Sequence, residues 1–231
     1  MRLAIIPARS GSKRIQNKNI KSFHGKPILH WVIDEIKKSN CFDKIIISTD
    51  NKKIFELASK MNVETPFLRP KNLSDDKTPI IPVIRHAINW YKNKKIFFNE
   101  VCCVYATAVF LKSKYLIKGL KCLNQTNVHF TLSACKFNYP IQRAFKLNKE
   151  KRIEMFQPED FLTRSQDLED AWHDAGQFCW GKSNAWLKDD ILFSNKTIPI
   201  EIPNFRVQDI DTIADWKRAE LMFSILKREN I

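Results

Sequence analysis

The sequence predicts an α/β fold, a three-layer sandwich in which a mainly parallel sheet is covered by helices on both faces. Three observations carry this. Apolar runs of strand length at 3–6, 44–48, 101–105 and 130–134 alternate with segments of helical period. Those runs are continuously apolar rather than alternating, as strands buried on both faces require. With 231 residues, 44% apolar and 28% charged, the chain can bury one sizeable core and has an ordinary globular composition.

Residues 3–6 end at Pro7 and read as a buried strand feeding the polar loop 9–26. Pro27 is a favoured first helical residue, and Ile28, Trp31, Val32, Ile33 and Ile36 then recur at helical spacing to about Asn40. KIIIS at 44–48 is a second strand, Thr49 or Asp50 is expected to cap a helix running through Lys60, and 63–68 is expected to be a third strand. Helical period returns over 78–91 and 113–123, separated by the strand 101–105. After Cys135 the pattern breaks. Residues 138–172 lack helical period but hold two short strand candidates, 142–147 and 152–156, joined by the polar turn 148–151. Strand character resumes at 177–180 and 198–202. A terminal helix follows from about Thr212, where Thr212 and Asp215 have capping-box spacing. Without an internal repeat or a flexible linker, the chain reads as one domain, 1–231, carrying the insert 138–172.

Charge narrows the function classes. Lys and Arg number 39 against 25 Asp and Glu, a formal net charge of +14. Residues 1–33 contain seven basic residues and no acidic one, whereas lysines elsewhere, such as Lys52, Lys53 and Lys60, are scattered over helix faces where they solvate a surface. Positive charge focused on one loop suits a phosphorylated ligand better than a nucleic acid, for which no recognition motif is present. No apolar stretch approaches the roughly 20 residues that span a bilayer, so no membrane association and a cytoplasmic location are expected. The six cysteines lack zinc-site spacing and read as reduced thiols, with Cys102 and Cys103 inside an apolar run.

Three constellations remain. The loop IPARSGSKRIQNKN, 6–19, leaves the carboxyl end of the first strand, where α/β sheets bind ligands, and brings Arg9, Lys13, Arg14 and Lys18 together without matching a dinucleotide fingerprint or a P-loop. Asp209 and Asp211, in VQDIDT, are two apart on an extended segment and so share a face, as two hard carboxylates holding Mg²⁺ against phosphates would. Gln142, Arg143, Arg164, His173, Asp174 and Gln177, in and just after the insert, offer forks, amides and a carboxylate suited to a polar acidic sugar. Trp172, Phe178, Trp180 and Trp186 are expected in the core or a subunit contact, and His86 as a satisfied helix histidine.

Together, IPARSGSKRIQNKN, FLRP at 67–70 followed by LSDD, and the terminal QDIDT resemble the CMP-sugar synthetases, the acylneuraminate cytidylyltransferase family that activates acidic nonulosonic sugars. The similarity covers nearly the whole chain. YATA at 105–108, YPIQRA at 139–144, EMFQPE, TRSQDLE and HDAGQF resemble the members that act on pseudaminic acid. The resemblance implies a Rossmann-like sheet, CTP and an acidic nine-carbon sugar as substrates, Mg²⁺ as cofactor, and a homodimer partly built by the insert. Carried over residue by residue, it implies that Arg9, Ser12, Lys13, Lys18 and Asn19 hold CTP and that Arg69 contacts the nucleotide. Arg9, Lys13, Lys18 and Asp211 would be catalytic, Asp209 with Asp211 would bind metal, and Gln142, Arg143, Arg164, His173, Asp174 and Gln177 would bind sugar, in part across the dimer. The expected reaction is attack of the anomeric hydroxyl on the α-phosphorus of CTP. The same reaction on N-acetylneuraminic or legionaminic acid, a nucleotide-binding regulator without turnover, and a nucleic-acid-binding protein are the alternatives. Two departures from the family pattern are expected to alter the sugar pocket: 106–109 reads Ala-Thr-Ala-Val in place of a proline-containing turn, and Cys179 replaces an aromatic.

Overall fold

The computed structural model describes residues 1–188 and 191–229. The chain opens with β1 (Arg2–Pro7), followed by the minute strands β2 (Ser22–Phe23) and β3 (Lys26–Pro27), which pair around His24 and Gly25, both at positive φ. Then come α1 (Ile28–Ser39), β4 (Lys44–Ser48), α2 (Lys52–Lys60), α3 (Ile80–Asn93), β5 (Glu100–Val104), α4 (Ser113–Leu123) and β6 (Phe130–Lys136). The insert contributes the hairpin β7 (Phe145–Leu147) and β8 (Ile153–Met155). The chain closes with β9 (Trp172–Lys182), α5 (Ser183–Leu187), β10 (Thr197–Glu201) and α6 (Ile213–Arg228).

The central sheet runs in the order β10-β6-β9-β5-β1-β4. β1 pairs in parallel with β4 and β5, β6 pairs in parallel with β10, and β9 runs antiparallel to both its neighbours. Alternate residues of β1 supply the two cores. Ala4 and Ile6 pack with Leu29, Val32 and Ile33 of α1, while Leu3 and Ile5 pack with Ile84 and Ala87 of α3 and Trp186 of α5. This two-sided burial explains why the strands carry no polar alternation. Because the chain builds out from β1 first to β4 and then to β5 on the other side, a crevice opens beyond the carboxyl end of β1.

The structure departs from the sequence expectations at four places, each for a local reason. Residues 63–68 form no strand, only single bridges at Glu64 and Leu68 beside the edge of β4. Pro66 lies between those bridges and has no N–H to extend the ladder. The cap of α2 is Asn51, whose side chain accepts the Lys53 N–H at 2.8 Å, because Asp50 is taken by Ser10 and the Thr49 hydroxyl accepts the Asn51 N–H. Gln142 sits in a single 3₁₀ turn, Ile141–Arg143, ahead of β7. Finally, β9 begins at Trp172 instead of residue 177, so the irregular insert ends one residue earlier than expected. A register shift opposite Leu132 and Ala134, with Gly176 at φ 62, breaks the alternation that would mark the strand in the sequence.

The capping box is present as expected. The Thr212 hydroxyl accepts the Asp215 N–H at 3.2 Å, and the Asp215 carboxylate accepts the Thr212 N–H at 2.8 Å. Trp180 and Trp186 are buried and donate their indole N–H groups to Leu116 O and Val101 O, each at 3.1 Å. Gly181 admits these rings. A Cβ there would lie 2.4 Å from the Trp186 indole nitrogen and 2.6 Å from the Phe130 ring. We therefore expect Gly181→Ala to destabilise the protein by about 1–3 kcal/mol, the usual cost of overpacking. Thermal denaturation would show this as a drop of about 2–4 °C per kcal/mol, and an unchanged midpoint would contradict the packing described.

Candidate active site

The loop after β1 is fastened at several points, leaving its cations facing the crevice. The Ser10 N–H and hydroxyl both donate to Asp50, at 2.8 and 2.6 Å. Asn19 is buried and its amide donates to Arg9 O at 3.0 Å, while Ile15 enters a third apolar cluster with Phe23, Ile210 and Trp216. Asn17 takes the left-handed conformation at φ 53, which Asn tolerates, and turns the chain toward Lys18. The resulting cleft, of about 300 Å³, is lined by Arg9, Ser12, Lys18, Asn19 and Arg69 from among the predicted nucleotide residues. Lys13 stands at its margin, more than four-fifths exposed.

Acidic residues meet this loop from two directions. Asp76 pairs with Arg9 and, at 2.6 Å, with Lys13; hydrogen bonds from these two cations hold its carboxyl down at about 2. Asp211 lies 3.2 Å from Lys18 and 2.8 Å from Arg14, and Lys18 also donates to Ile210 O at 2.6 Å. Ile210 is buried in the third apolar cluster, so Asp209 and Asp211 on either side of it face away from that core. Asp211 does not serve as the helix cap, a role taken by Thr212. No group of three or more His, Cys, Asp or Glu residues arranged for a metal is found among the described residues. Arg69 is buried and donates to Ser48 O and, at 3.4 Å, to Leu73 O. Its Nε, also buried, has no partner among the described residues. Burial lowers the Arg69 pKa to about 10 against the opposing effect of Asp50, so the group is a cation at neutral pH.

The predicted sugar residues divide into two sets. Gln177 lies on β9 beside the cleft, where its O accepts the N–H of the cleft residue Tyr105 at 3.0 Å, while Asp174, on the same strand, lines with Trp172 and His173 a separate cavity of about 230 Å³. The Gln177 amide donates to Arg206 O at 2.6 Å, and its own buried oxygen has no partner among the described residues. Burial raises the Asp174 carboxyl; the Gly176 N–H and His173 oppose this, and Asp209 adds to it. The Tyr105 hydroxyl is raised first by burial and then by neighbours that include both Asp174 and Asp209, so these groups share one electrostatic neighbourhood. His173 packs its ring edge-on against Phe137. Gln142, Arg143 and Arg164 are not brought to the cleft. Within the insert Gln142 donates to Glu169 O at 2.9 Å, Arg143 to Thr163 O at 2.6 Å, and Arg164 pairs with Asp167 at 2.6 Å.

Reading the sequence by charge passed over Asp76, Tyr105 and Thr107, all of which line the cleft. The adjacent acids Asp75 and Asp76 were the available signal, while nothing in local pattern marks Tyr105. Three expectations need correction or completion. Cys179 is buried in register between Cys103 and Leu132, so its replacement of an aromatic alters the core and not the cleft wall. His86 lies in α3 against Phe67, but its Nδ1 has no partner among the described residues and burial lowers its pKa. Trp172 is half exposed, unlike the fully buried Trp180 and Trp186. The thiols of Cys102, Cys103 and Cys179 are pushed up by burial, which leaves them unreactive as nucleophiles.

A family model described as cytidylyltransferase matches residues 3–212. The pseudaminic acid cytidylyltransferase of Campylobacter jejuni subsp. jejuni serotype O:2 is 41% identical over 223 residues, 96% of each chain. The CMP-N,N'-diacetyllegionaminic acid synthase of Legionella pneumophila is 24% identical over 230 residues, again 96% of each chain. Among solved structures, a CMP:2-keto-3-deoxy-manno-octonic acid synthetase complexed with CTP has a TM-score of 0.71 at 10% identity, with 96% of this chain and 98% of the other covered, a likeness of fold. The span of the family match, the cationic loop at the carboxyl end of β1 and the carboxylates brought against it agree: this chain belongs to the cytidylyltransferase family.

Proposed function

We propose that the protein joins CTP to pseudaminic acid, giving CMP-pseudaminic acid and pyrophosphate. One geometric observation carries the chemistry: Lys18 bonds both Ile210 O and Asp211, which draws the acidic segment from the far end of the chain against the cationic first loop. The choice of sugar rests on the 41% identity to the Campylobacter enzyme of that name, maintained over 96% of both chains. In the reaction the anomeric oxygen bonds to the α-phosphorus, the bond from that phosphorus to the β-phosphate bridge breaks, pyrophosphate departs, and the hydroxyl proton is released. Arg9, Lys13 and Lys18 orient the triphosphate and offset charge that grows on the phosphoryl oxygens, the effect expected of preorganised cations. Ser12 and Asn19 add hydrogen-bonding groups in the same cleft, and Arg69 adds a cation to its wall. Gln177, which bonds the backbone of the cleft residue Tyr105, and Asp174 on the same strand are assigned to the sugar.

The donor set fits Mg²⁺. Asp209 and Asp211 are hard carboxylates two apart on one segment, the oxygen ligands that Mg²⁺ prefers, and these two residues would hold the ion. Mg²⁺ held there would supply charge neutralisation to the phosphates. Asp211 would then exchange its contacts with Lys18 and Arg14 for the ion.

The insert supports a homodimer. Phe145, Leu147, Ile153 and Phe156 of the hairpin are between 54% and 66% exposed, an apolar surface that one chain leaves uncovered. A second copy would cover it and would give Arg143 and Arg164, now bonded within the insert, a site to approach.

Pyrophosphate release with CTP and Mg²⁺ tests the reaction, with pseudaminic, legionaminic and N-acetylneuraminic acids compared in parallel. Release with pseudaminic acid alone is expected; release with another acid only would overturn the choice of sugar, and CTP binding without release would favour a binder without turnover. Asp211→Asn and Lys18→Ala should each lower kcat about a hundredfold or more, and near-normal turnover would remove that residue from the mechanism. Asp76→Asn, which frees Arg9 and Lys13, should tighten CTP binding several-fold in calorimetry without Mg²⁺; weaker binding would mean that Asp76 itself supports the nucleotide. Sedimentation equilibrium should give twice the 27.1 kDa of one chain, and the double variant Phe145→Glu, Leu147→Glu should sediment as a monomer.

A further inference from the structure

Away from the active site, a separate cavity of about 170 Å³ lies between α1, α6 and residues 109–112. None of the residues lining it lines the nucleotide cleft. Arg206 forms part of its wall and is only 4% exposed, yet among the described residues its guanidinium has no hydrogen bond and no ion pair. Its one recorded ring contact is with Phe205, over which the guanidinium carbon lies 5.9 Å from the centroid. A guanidinium with so little solvent contact and no protein acceptor is poorly compensated, since its five N–H donors have few waters to turn to.

Lys112 lines the same cavity and also has no carboxylate within ion-pairing distance among the described residues. The two carboxylates in the wall are committed elsewhere. Asp34 pairs with Lys26 and, at 3.5 Å, with His30, while Glu35 accepts the Ser113 N–H at 2.9 Å and Lys38 at 3.1 Å. Burial lowers the Lys112 pKa; Glu35 opposes this and Arg206 adds to it, which agrees with two cations facing one space. Trp31, Phe110, Phe223 and Leu226 give the wall an apolar side, and Lys38 and Lys227 complete it with two further cations. For scale, an apolar cavity of about 150 Å³ holds one benzene molecule.

We infer that this cavity is a second ligand site, which binds a small organic oxyanion by seating its phosphate or carboxylate head on Arg206 and Lys112 and its single-ring apolar body against Trp31 and Phe223. The Arg fork suits either head by two parallel hydrogen bonds. The cavity is linked to the active-site strand through Arg206 itself. Arg206 O is the acceptor of the Gln177 amide, and the chain runs on from Arg206 to Asp209.

The test uses the full-length ¹⁵N-labelled protein saturated with CTP, without Mg²⁺ or sugar, so that the nucleotide cleft is filled and no turnover occurs. Phenyl phosphate, benzoate and inorganic phosphate are titrated separately while the Trp31 indole N–H resonance, assigned with Trp31→Phe, is followed. A saturable shift is expected with phenyl phosphate or benzoate, whichever head the site prefers, and binding at least tenfold weaker with inorganic phosphate. Arg206→Gln and Lys112→Gln should each weaken aryl-anion binding tenfold or more. Lys112 is partly exposed, so its variant carries the test if Arg206→Gln does not fold. An unmoved Trp31 resonance with both aryl anions, or undiminished affinity in the folded variants, would overturn the inference.

Discussion

The contact on which the site depends joins residues 192 positions apart: Lys18 reaching Ile210 O. A lysine in the first loop has no local reason to adopt one rotamer, and holding a long side chain still costs conformational entropy. Three neighbours make the arrangement hold. Asn19 fixes the loop from beneath by bonding Arg9 O, burial of Ile210 sets the height of the acidic segment, and the Thr212–Asp215 capping box fixes where α6 begins and therefore where Asp211 stands. Each is an ordinary packing or capping element. Together they align cations from one end of the chain with carboxylates from the other.

The same arrangement resolves an electrostatic conflict. Four cations on one short loop repel one another, and a cleft that held them unpaired would weaken the fold. The protein answers with removable partners. Asp76 neutralises Arg9 and Lys13, and Asp211 neutralises Lys18 and Arg14. Lys13 and Arg14 are largely exposed and Arg9, Asp76 and Asp211 partly so, a setting in which ion pairs contribute little and exchange readily, while Lys18 is the more buried member. A triphosphate entering the cleft can therefore replace carboxylates around the cations without leaving a buried charge behind.

The sequence revealed those parts of the fold and site that obey one-dimensional rules. Continuous apolar strands, the helical period of α1, α3 and α4, the Thr212 capping box and the charge bias of the first loop are all local patterns. The features missed are not. Asp50 looks like a helix cap until Ser10, 40 positions away, claims it. The start of β9 is hidden because a bulge at residues 174–176 places polar and glycine residues where a strand should alternate. Arg143 and Arg164 look equally suited to an acidic ligand, but only folding shows their contacts within the insert.

The departures from the family pattern illustrate how position decides consequence. A proline would preset the turn after β5; in its place this chain uses hydrogen bonds, with the Ala108 N–H donating to Tyr105 O at 3.1 Å and the Val109 N–H to Thr107 O at 2.8 Å. The turn is thus held by its own backbone, and Val109 is left to anchor it in the third apolar cluster beside Phe110 and Trp216. Tyr105, Ala106 and Thr107, on the opposite side of the turn, form the cleft wall. The small residues Ala106 and Thr107 thus stand in the cleft wall on a turn that its own backbone holds. Cys179 has no such place, since it is packed between strands in the core. Of the two departures, only the one at 106–109 touches the volume available to substrate.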